Sequence, residues 1–251
     1  MCTLFIYRKK HSDWPLLLAA NRDEKLSRHS SPPNFHWKDD PDIYAGKDNL
    51  KGGSWLGINK HQVCAIILNR NTTFNKLARL SSRGNLVIDA LKFKSAKEAS
   101  YNIYSNLKNI YRNFNLFIAD YKNAYWIKFE NFEKSLNKVP FGFSMLDNFD
   151  LNDNSSKKQL VYRNIFSKIK IPDPKNNNFK EWEKMLFMKR KYKNLKNTEV
   201  FIYNKICNYG TVSSSIIGLP IANYKRLKPL WLYNEIKTKS RVFMIHSPFK
   251  N

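Results

Sequence analysis

Cys2 stands directly behind the initiator methionine in the opening run MCTLFIYRKK. A penultimate side chain this small is one that methionine aminopeptidases tolerate, so loss of Met1 would leave Cys2 with a free α-amine and a thiol on one residue. That pairing holds both halves of a nucleophilic catalyst. The neutral amine, titrating near pH ~8, can take the proton of a thiol of similar pKa. The thiolate can then attack an amide or ester carbonyl and give a thioester that water resolves. The plainer alternative is that Cys2 only opens a buried strand.

A second group of chemically able residues is Asn21-Arg22-Asp23-Glu24, immediately after the apolar run Leu16 to Ala20. It reads either as an ordinary charged turn or as the support of the thiol. In the second reading Arg22 opposes the thiolate and lowers its pKa, Asp23 or Glu24 orients the α-amine, and Asn21 and Glu24 face a ligand. Attack on a carbonyl also needs oxyanion donors. Asn69, ending the run VCAIIL, is the best-placed amide for that role, and is equally well read as a turn asparagine. A third group is AGKDNLKGGSWLGI, Ala45 to Ile58. Its Gly52-Gly53 pair permits positive φ or close backbone approach before Trp55. The spacing fits neither G-x-G-x-x-G nor a Walker loop, so the loop, with Asp48, Gly52, Gly53 and Trp55, is read as one wall of a ligand pocket.

The elements that must position these residues follow from periodicity. Runs rich in β-branched and aromatic residues predict strands at Cys2 to Tyr7, Leu16 to Ala20, Trp55 to Ile58, Val63 to Leu68, Phe114 to Ala119, Ala124 to Phe129, Thr211 to Ile217 and Arg241 to Ile245. Helices are predicted over Gly84 to Phe93, after a capping box formed by Ser95 and Glu98, over Lys157 to Ile169 and over Phe179 to Lys193. The first two strands should form a hairpin. With Tyr7 opposite Pro15 or Leu16, Cys2 falls opposite Ala20 to Asn21. Strands in neighbouring pairs with grouped helices predict an α+β fold rather than a doubly wound parallel sheet. No linker divides the 251 residues, so residues 1–251 are read as a single domain.

Composition narrows the function classes. The formal net charge is +24, with 44 Lys and Arg against 20 Asp and Glu. The lysines are spread along the chain with abundant Asn, Ile, Tyr and Phe, a pattern that AT-rich codons also produce, and no helix-turn-helix, zinc-finger or RNA-binding signature accompanies them. A specific nucleic-acid partner is therefore not expected, while peripheral contact with an anionic membrane stays open. There is no signal-peptide core and no apolar stretch long enough to span a bilayer, which predicts a cytoplasmic protein. The odd set Cys2, Cys64 and Cys207 lacks C-x-x-C spacing, and the five histidines show no ligand spacing, so neither a disulfide framework nor a metal centre is expected, and no cofactor. Cys64 reads as a small buried hydrophobe.

Taken together, Met1-Cys2 before an apolar strand, AANRDE at Ala19 to Glu24, AGKD and GGSWLGI within Ala45 to Ile58, a strand ending in Asn69, Arg83-Gly84 opening a helix, NFNLFIAD at Asn113 to Asp120 and YGTVSSSII at Tyr209 to Ile217 resemble the NRDE family, also called the transport and Golgi organisation protein 2 family. The resemblance covers nearly the whole chain, with Asp147 to Asn208 unanchored. It implies an N-terminal nucleophile hydrolase-like fold, a four-layer αββα sandwich of two stacked antiparallel sheets, close to penicillin V acylase and bile-salt hydrolase. It implies Cys2 as nucleophile, Arg22 and Asp23 as its supports, Asn69 as an oxyanion donor and Thr211 at the ligand site. The family's eukaryotic members are associated with Golgi organisation, lipid homeostasis and haem handling. Three functions therefore stand: an amide or ester hydrolase, a non-catalytic carrier for an amphipathic ligand such as haem or an acyl thioester, and, third in order, a basic nucleic-acid or membrane-surface binder. The chain departs from the family pattern at Val212, where the resemblance implies a guanidinium, and at Met145, where it implies an asparagine able to serve as a second oxyanion donor.

Overall fold

The computed structural model describes residues 2–71, 80–189, 198–221, 227–236 and 242–249. In chain order the strands are β1 (Thr3–Arg8), β2 (Leu16–Lys25), β3 (Ser30–Asn34), β4 (Ile43–Asp48), β5 (Leu56–Asn59) and β6 (Cys64–Asn69). Helices α1 (Gly84–Ala90) and α2 (Ala96–Asn106) follow, then β7 (Phe114–Ala119), β8 (Ala124–Glu130), β9 (Glu133–Lys138) and β10 (Gly142–Leu146). The remainder holds α3 (Lys157–Lys168), α4 (Lys180–Leu186), β11 (Tyr203–Asn204), β12 (Tyr209–Leu219), β13 (Leu230–Glu235) and β14 (Met244–His246). These elements fall into two compact units, one formed by the chain up to Arg28 with everything from Pro140 onward, the other by His29–Val139.

The His29–Val139 unit is a meander, with β3 to β9 pairing in sequence order and every pair antiparallel. Its core is the face on which Ala65, Ile67, Leu116 and Ile118 meet Leu86, Val87 and Leu91 of the α1 segment and Ala99 and Ile103 of α2. The predicted capping box is present: Ser95 accepts a hydrogen bond from the Glu98 N–H at 3.2 Å. Ser95→Ala is expected to lower the stability of the folded chain by about 1 kcal/mol, read as a lower urea midpoint at unchanged m-value.

The other unit carries the sheet β10-β1-β2-β12-β13-β14, with β11 added to β12. One face is covered by α3 and α4, where Phe5, Leu17, Ala19, Met145 and Ile216 pack on Phe166, Trp182 and Met185. Phe166 is the hinge of this packing, its ring 5.0 Å from Phe5 and 4.9 Å from Trp182.

Several expectations need correction. β2 does not end at Ala20; it runs on to Lys25, because β12 pairs with it along its whole length, from Leu219 opposite Leu16 to Tyr209 opposite Lys25. Asn21 to Glu24 therefore lie in a central strand and are not a turn. The hairpin register pairs Tyr7 with Leu17 and Thr3 with Asn21, which puts Cys2 level with Arg22 rather than with Ala20 or Asn21. The helix expected over Phe179 to Lys193 ends at Leu186, where the Phe187 and Met188 N–H groups close it with short-range bonds; residues 190–193 lie outside the described ones. β3, β4, β9, β10 and β13 were not foreseen. No helix among the described residues is long and apolar enough to cross a membrane.

Candidate active site

The candidate site is built on β2, whose second half replaces apolar side chains with Asn21, Arg22 and Asp23, all buried. Buried polar groups need partners, and β12 supplies them with a matching run of hydroxyls. Thr211 Oγ1 donates to Asp23 Oδ1 at 2.7 Å, and Ser214 Oγ donates to Asn21 Oδ1 at 2.7 Å. The change of phase between these two contacts comes from a bulge: the register steps from Thr211 opposite Asp23 to Ser213 opposite Arg22, leaving Val212 as the extra residue. Val212 thus occupies the irregular position at which the family pattern implies a guanidinium.

Cys2 sits at the end of the hairpin, half-buried. Its sulfur is gripped by the backbone of Asp23, whose N–H donates to Sγ at 3.3 Å while the thiol donates back to the Asp23 carbonyl at 3.6 Å. The same carbonyl accepts from the Tyr209 hydroxyl at 3.3 Å. This grip follows from the register, which brings the residue before β1 alongside Arg22 and Asp23.

The electrostatics of the thiol differ from expectation. Arg22 does lower its pKa, but burial, which disfavours the thiolate, and the Asp23 carboxylate together outweigh it, and the pKa is raised above its ordinary value. At neutral pH Cys2 is therefore a neutral thiol, and attack must be coupled to removal of its proton by a base. Burial also raises the Tyr209 pKa, with the charges of Cys2, Asp23 and Glu24 acting in the same sense, so its phenol is a firm donor.

The remaining predicted residues are distributed as follows. Asn21, expected to face a ligand, is instead a tie. Its Nδ2 donates to the carbonyls of Leu186 at 2.8 Å and Val200 at 3.0 Å, so with the Ser214 contact the amide holds three partners at once. Thr211, also expected at the ligand site, is fully buried; besides bracing Asp23 it accepts from the Ile202 N–H at 3.0 Å. Glu24 is partly exposed, takes the Lys25 N–H at 2.9 Å and lies 3.7 Å from Arg28 Nε. Met145 is wholly inside the apolar cluster on the helix-covered face, so a side chain there cannot act as an oxyanion donor.

Asn69, Asp48, Gly52, Gly53 and Trp55 belong to the His29–Val139 unit. Asn69 ends β6 opposite Phe114, with an exposed side chain. Arg70 beside it is buried and fixed by a fork to the Glu130 carboxylate at 2.9 Å. Asp48 closes its loop by accepting from the N–H groups of Leu50 at 3.0 Å and Lys51 at 3.3 Å. Gly52 has φ +74°, and a Cβ on Gly53 would stand 2.6 Å from the Gly84 carbonyl carbon, so the two glycines serve positive φ and close approach respectively. Cys64 is fully buried, and burial pushes its thiol pKa up.

Tyr209, Ser213, Ser214 and β13 with Tyr233 and Glu235 were missed. Their signal was the hydroxyl run of YGTVSSS, which is what a strand facing Asn21 to Asp23 requires. Ser213 and Glu235 stand in register with Arg22 across two strands.

The family description Transport and Golgi organisation 2 matches residues 1–223. No curated protein matches the sequence. Among solved structures, penicillin V acylase from Agrobacterium tumefaciens is similar with TM-score 0.58 and 13% identity, over 99% of this chain and 87% of that one. The C2A mutant of conjugated bile acid hydrolase from Clostridium perfringens is similar with TM-score 0.59 and 12% identity, over 99% of this chain and 92% of that one. The Caenorhabditis elegans ortholog of N-acylethanolamine-hydrolyzing acid amidase gives TM-score 0.54 and 10% identity, over 86% of this chain and 92% of that one. At these identities the likeness establishes the fold: α+β, N-terminal nucleophile hydrolase-like, with antiparallel sheets.

Proposed function

The chain belongs to the transport and Golgi organisation 2 family, and from that premise we propose that it is a cysteine hydrolase of an amide or ester, with Cys2 as nucleophile once Met1 is removed. The observation that carries this reading is the grip on the sulfur: a thiol held by both backbone groups of Asp23, beside the buried guanidinium of Arg22. These two contacts fix the sulfur at the strand end, level with Arg22. The reading is supported by fold neighbours named as an acylase, a hydrolase and an amidase, one of them solved as its C2A mutant.

In the proposed sequence the α-amine of Cys2 removes the thiol proton as sulfur bonds to the carbonyl carbon. The Asp23 N–H and the Arg22 charge stabilise the sulfur as it becomes anionic and then a leaving group. The protonated amine returns its proton to the departing nitrogen or oxygen, and water, deprotonated by the same amine, cleaves the thioester. Because burial raises the thiol pKa, the amine is needed; a chain that keeps Met1 has no base at this position.

The test is hydrolysis of p-nitrophenyl acetate by the full chain before and after treatment with a methionine aminopeptidase. Turnover that appears with loss of Met1, and that rises with deprotonation of a group near pH ~8, is expected. Equal rates in the two forms would contradict the reading, and saturable binding of an acyl ligand without turnover would favour a carrier. The raised thiol pKa has its own consequence in the Met1-bearing chain. Below that pKa a smaller fraction of Cys2 is thiolate than in the unfolded chain, so its alkylation by iodoacetamide should be slower than in urea at pH 7 and still rising above pH ~9. A folded-state rate at pH 7 equal to the unfolded one would refute that sign.

A further inference from the structure

We propose that Tyr209 is a catalytic residue of this site, its phenol donating the hydrogen bond that stabilises the oxyanion formed when Cys2 attacks a carbonyl; the inference rests on the cysteine-hydrolase reading and extends it. Tyr209 is the first residue of β12, opposite Lys25 and next to the strand segment that holds the sulfur. Its hydroxyl and the Cys2 thiol donate to the same atom, the Asp23 carbonyl oxygen, at 3.3 Å and 3.6 Å. Two donors that converge on one acceptor flank the same small volume. A substrate carbonyl brought to the sulfur enters that volume, where its oxygen can replace the Asp23 carbonyl as the partner of the phenol.

The chemistry suits the position. Tyr209 is partly exposed and so reachable by a substrate, while its environment disfavours the phenolate. It keeps its proton throughout and supplies a dipole where negative charge develops. In the acylation step the S–C bond forms, the carbonyl π pair moves to oxygen, and the thiol proton goes to the α-amine. Collapse returns the pair to the carbonyl and expels the leaving group with that proton. Tyr209 neither gains nor loses an electron pair.

The experiment compares two reactions of Cys2 in wild-type and Tyr209→Phe chains, both freed of Met1. Acylation by p-nitrophenyl acetate passes through an oxyanion; alkylation by iodoacetamide does not. The substitution retains the ring and removes one oxygen. The expected result is acylation slower by about 10- to 100-fold with alkylation changed less than two-fold, a loss at or below the range for one oxyanion donor. Equal slowing of both reactions would mean that Tyr209 only positions the thiol, and no change in acylation would mean that it does nothing; either overturns the proposal and leaves the nucleophile intact. A wild-type chain whose Cys2 is never acylated overturns the cysteine-hydrolase reading, and this inference with it.

Discussion

Cys2→Ala is expected to reduce ester or amide hydrolysis to the uncatalysed background. Loss of a covalent nucleophile in a site where base and nucleophile act together costs about 10⁶-fold in comparable enzymes, and here both functions reside on one residue, although the substitution leaves the amine in place. The fold should tolerate it. Cys2 precedes β1, is half-buried, and gives up two long sulfur contacts, so the loss of stability should stay within about 1 kcal/mol. Controls separate chemistry from packing. Cys207→Ala, on an exposed thiol, should leave both activity and stability unchanged. Cys64→Ala should lower stability through a buried cavity while leaving the turnover of folded protein alone. Steady-state hydrolysis and urea denaturation on the same preparations make the comparison. Retained turnover in Cys2→Ala would remove the residue from the mechanism.

Asn21→Leu is expected to be among the most damaging single changes to stability, although Asn21 lies next to the site and touches no reacting group. Its amide satisfies the carbonyls of Leu186 and Val200 and the hydroxyl of Ser214, all within 3.0 Å. Leucine is of similar size and fills the space, so the cost falls on the three groups left buried without their partner, at about 1–3 kcal/mol each. A total on the order of 3–9 kcal/mol is a large share of the stability of an ordinary domain. Asn21→Asp should not rescue it, because the carboxylate keeps the Ser214 bond but turns a lone pair toward two carbonyl oxygens. Urea midpoints at constant m-value supply the measurement. A drop below about 1 kcal/mol would show that the amide is dispensable and restore the view of Asn21 as a ligand contact.

The pairing of Asn21 with β12 also shows what was legible in the sequence. The first hairpin, the strand Phe114–Ala119, the Ser95 cap and the α+β class could be read because local periodicity and turn chemistry decide them. The length of β2 could not: Asn21 to Lys25 is polar and looks like a turn, and only the facing hydroxyls of Thr211, Ser213 and Ser214 make a strand of it. The register error has the same root, since one or two residues of uncertainty in the Arg8 to Trp14 connection shift every pair. β3, with Pro32-Pro33, and β9, whose one apolar side chain is Leu136, are the terminal strands of their sheet and carry little pattern of their own. In the site, the closeness of Cys2 to Arg22 and Asp23 was readable from chain geometry, whereas the sign of the thiol shift was not, because it depends on burial. Tyr209 was hidden for a related reason: its hydroxyl acquires meaning only from the carbonyl it shares with Cys2.

The most direct measurement is mass-spectrometric mapping of the acyl group left on the full chain after rapid quenching of its reaction with a p-nitrophenyl ester. One acyl group, on the sulfur of Cys2 and only in molecules lacking Met1, is the predicted result. An acyl group on Cys64 or Cys207, or a Cys2 that stays unmodified while product is released, would contradict the account.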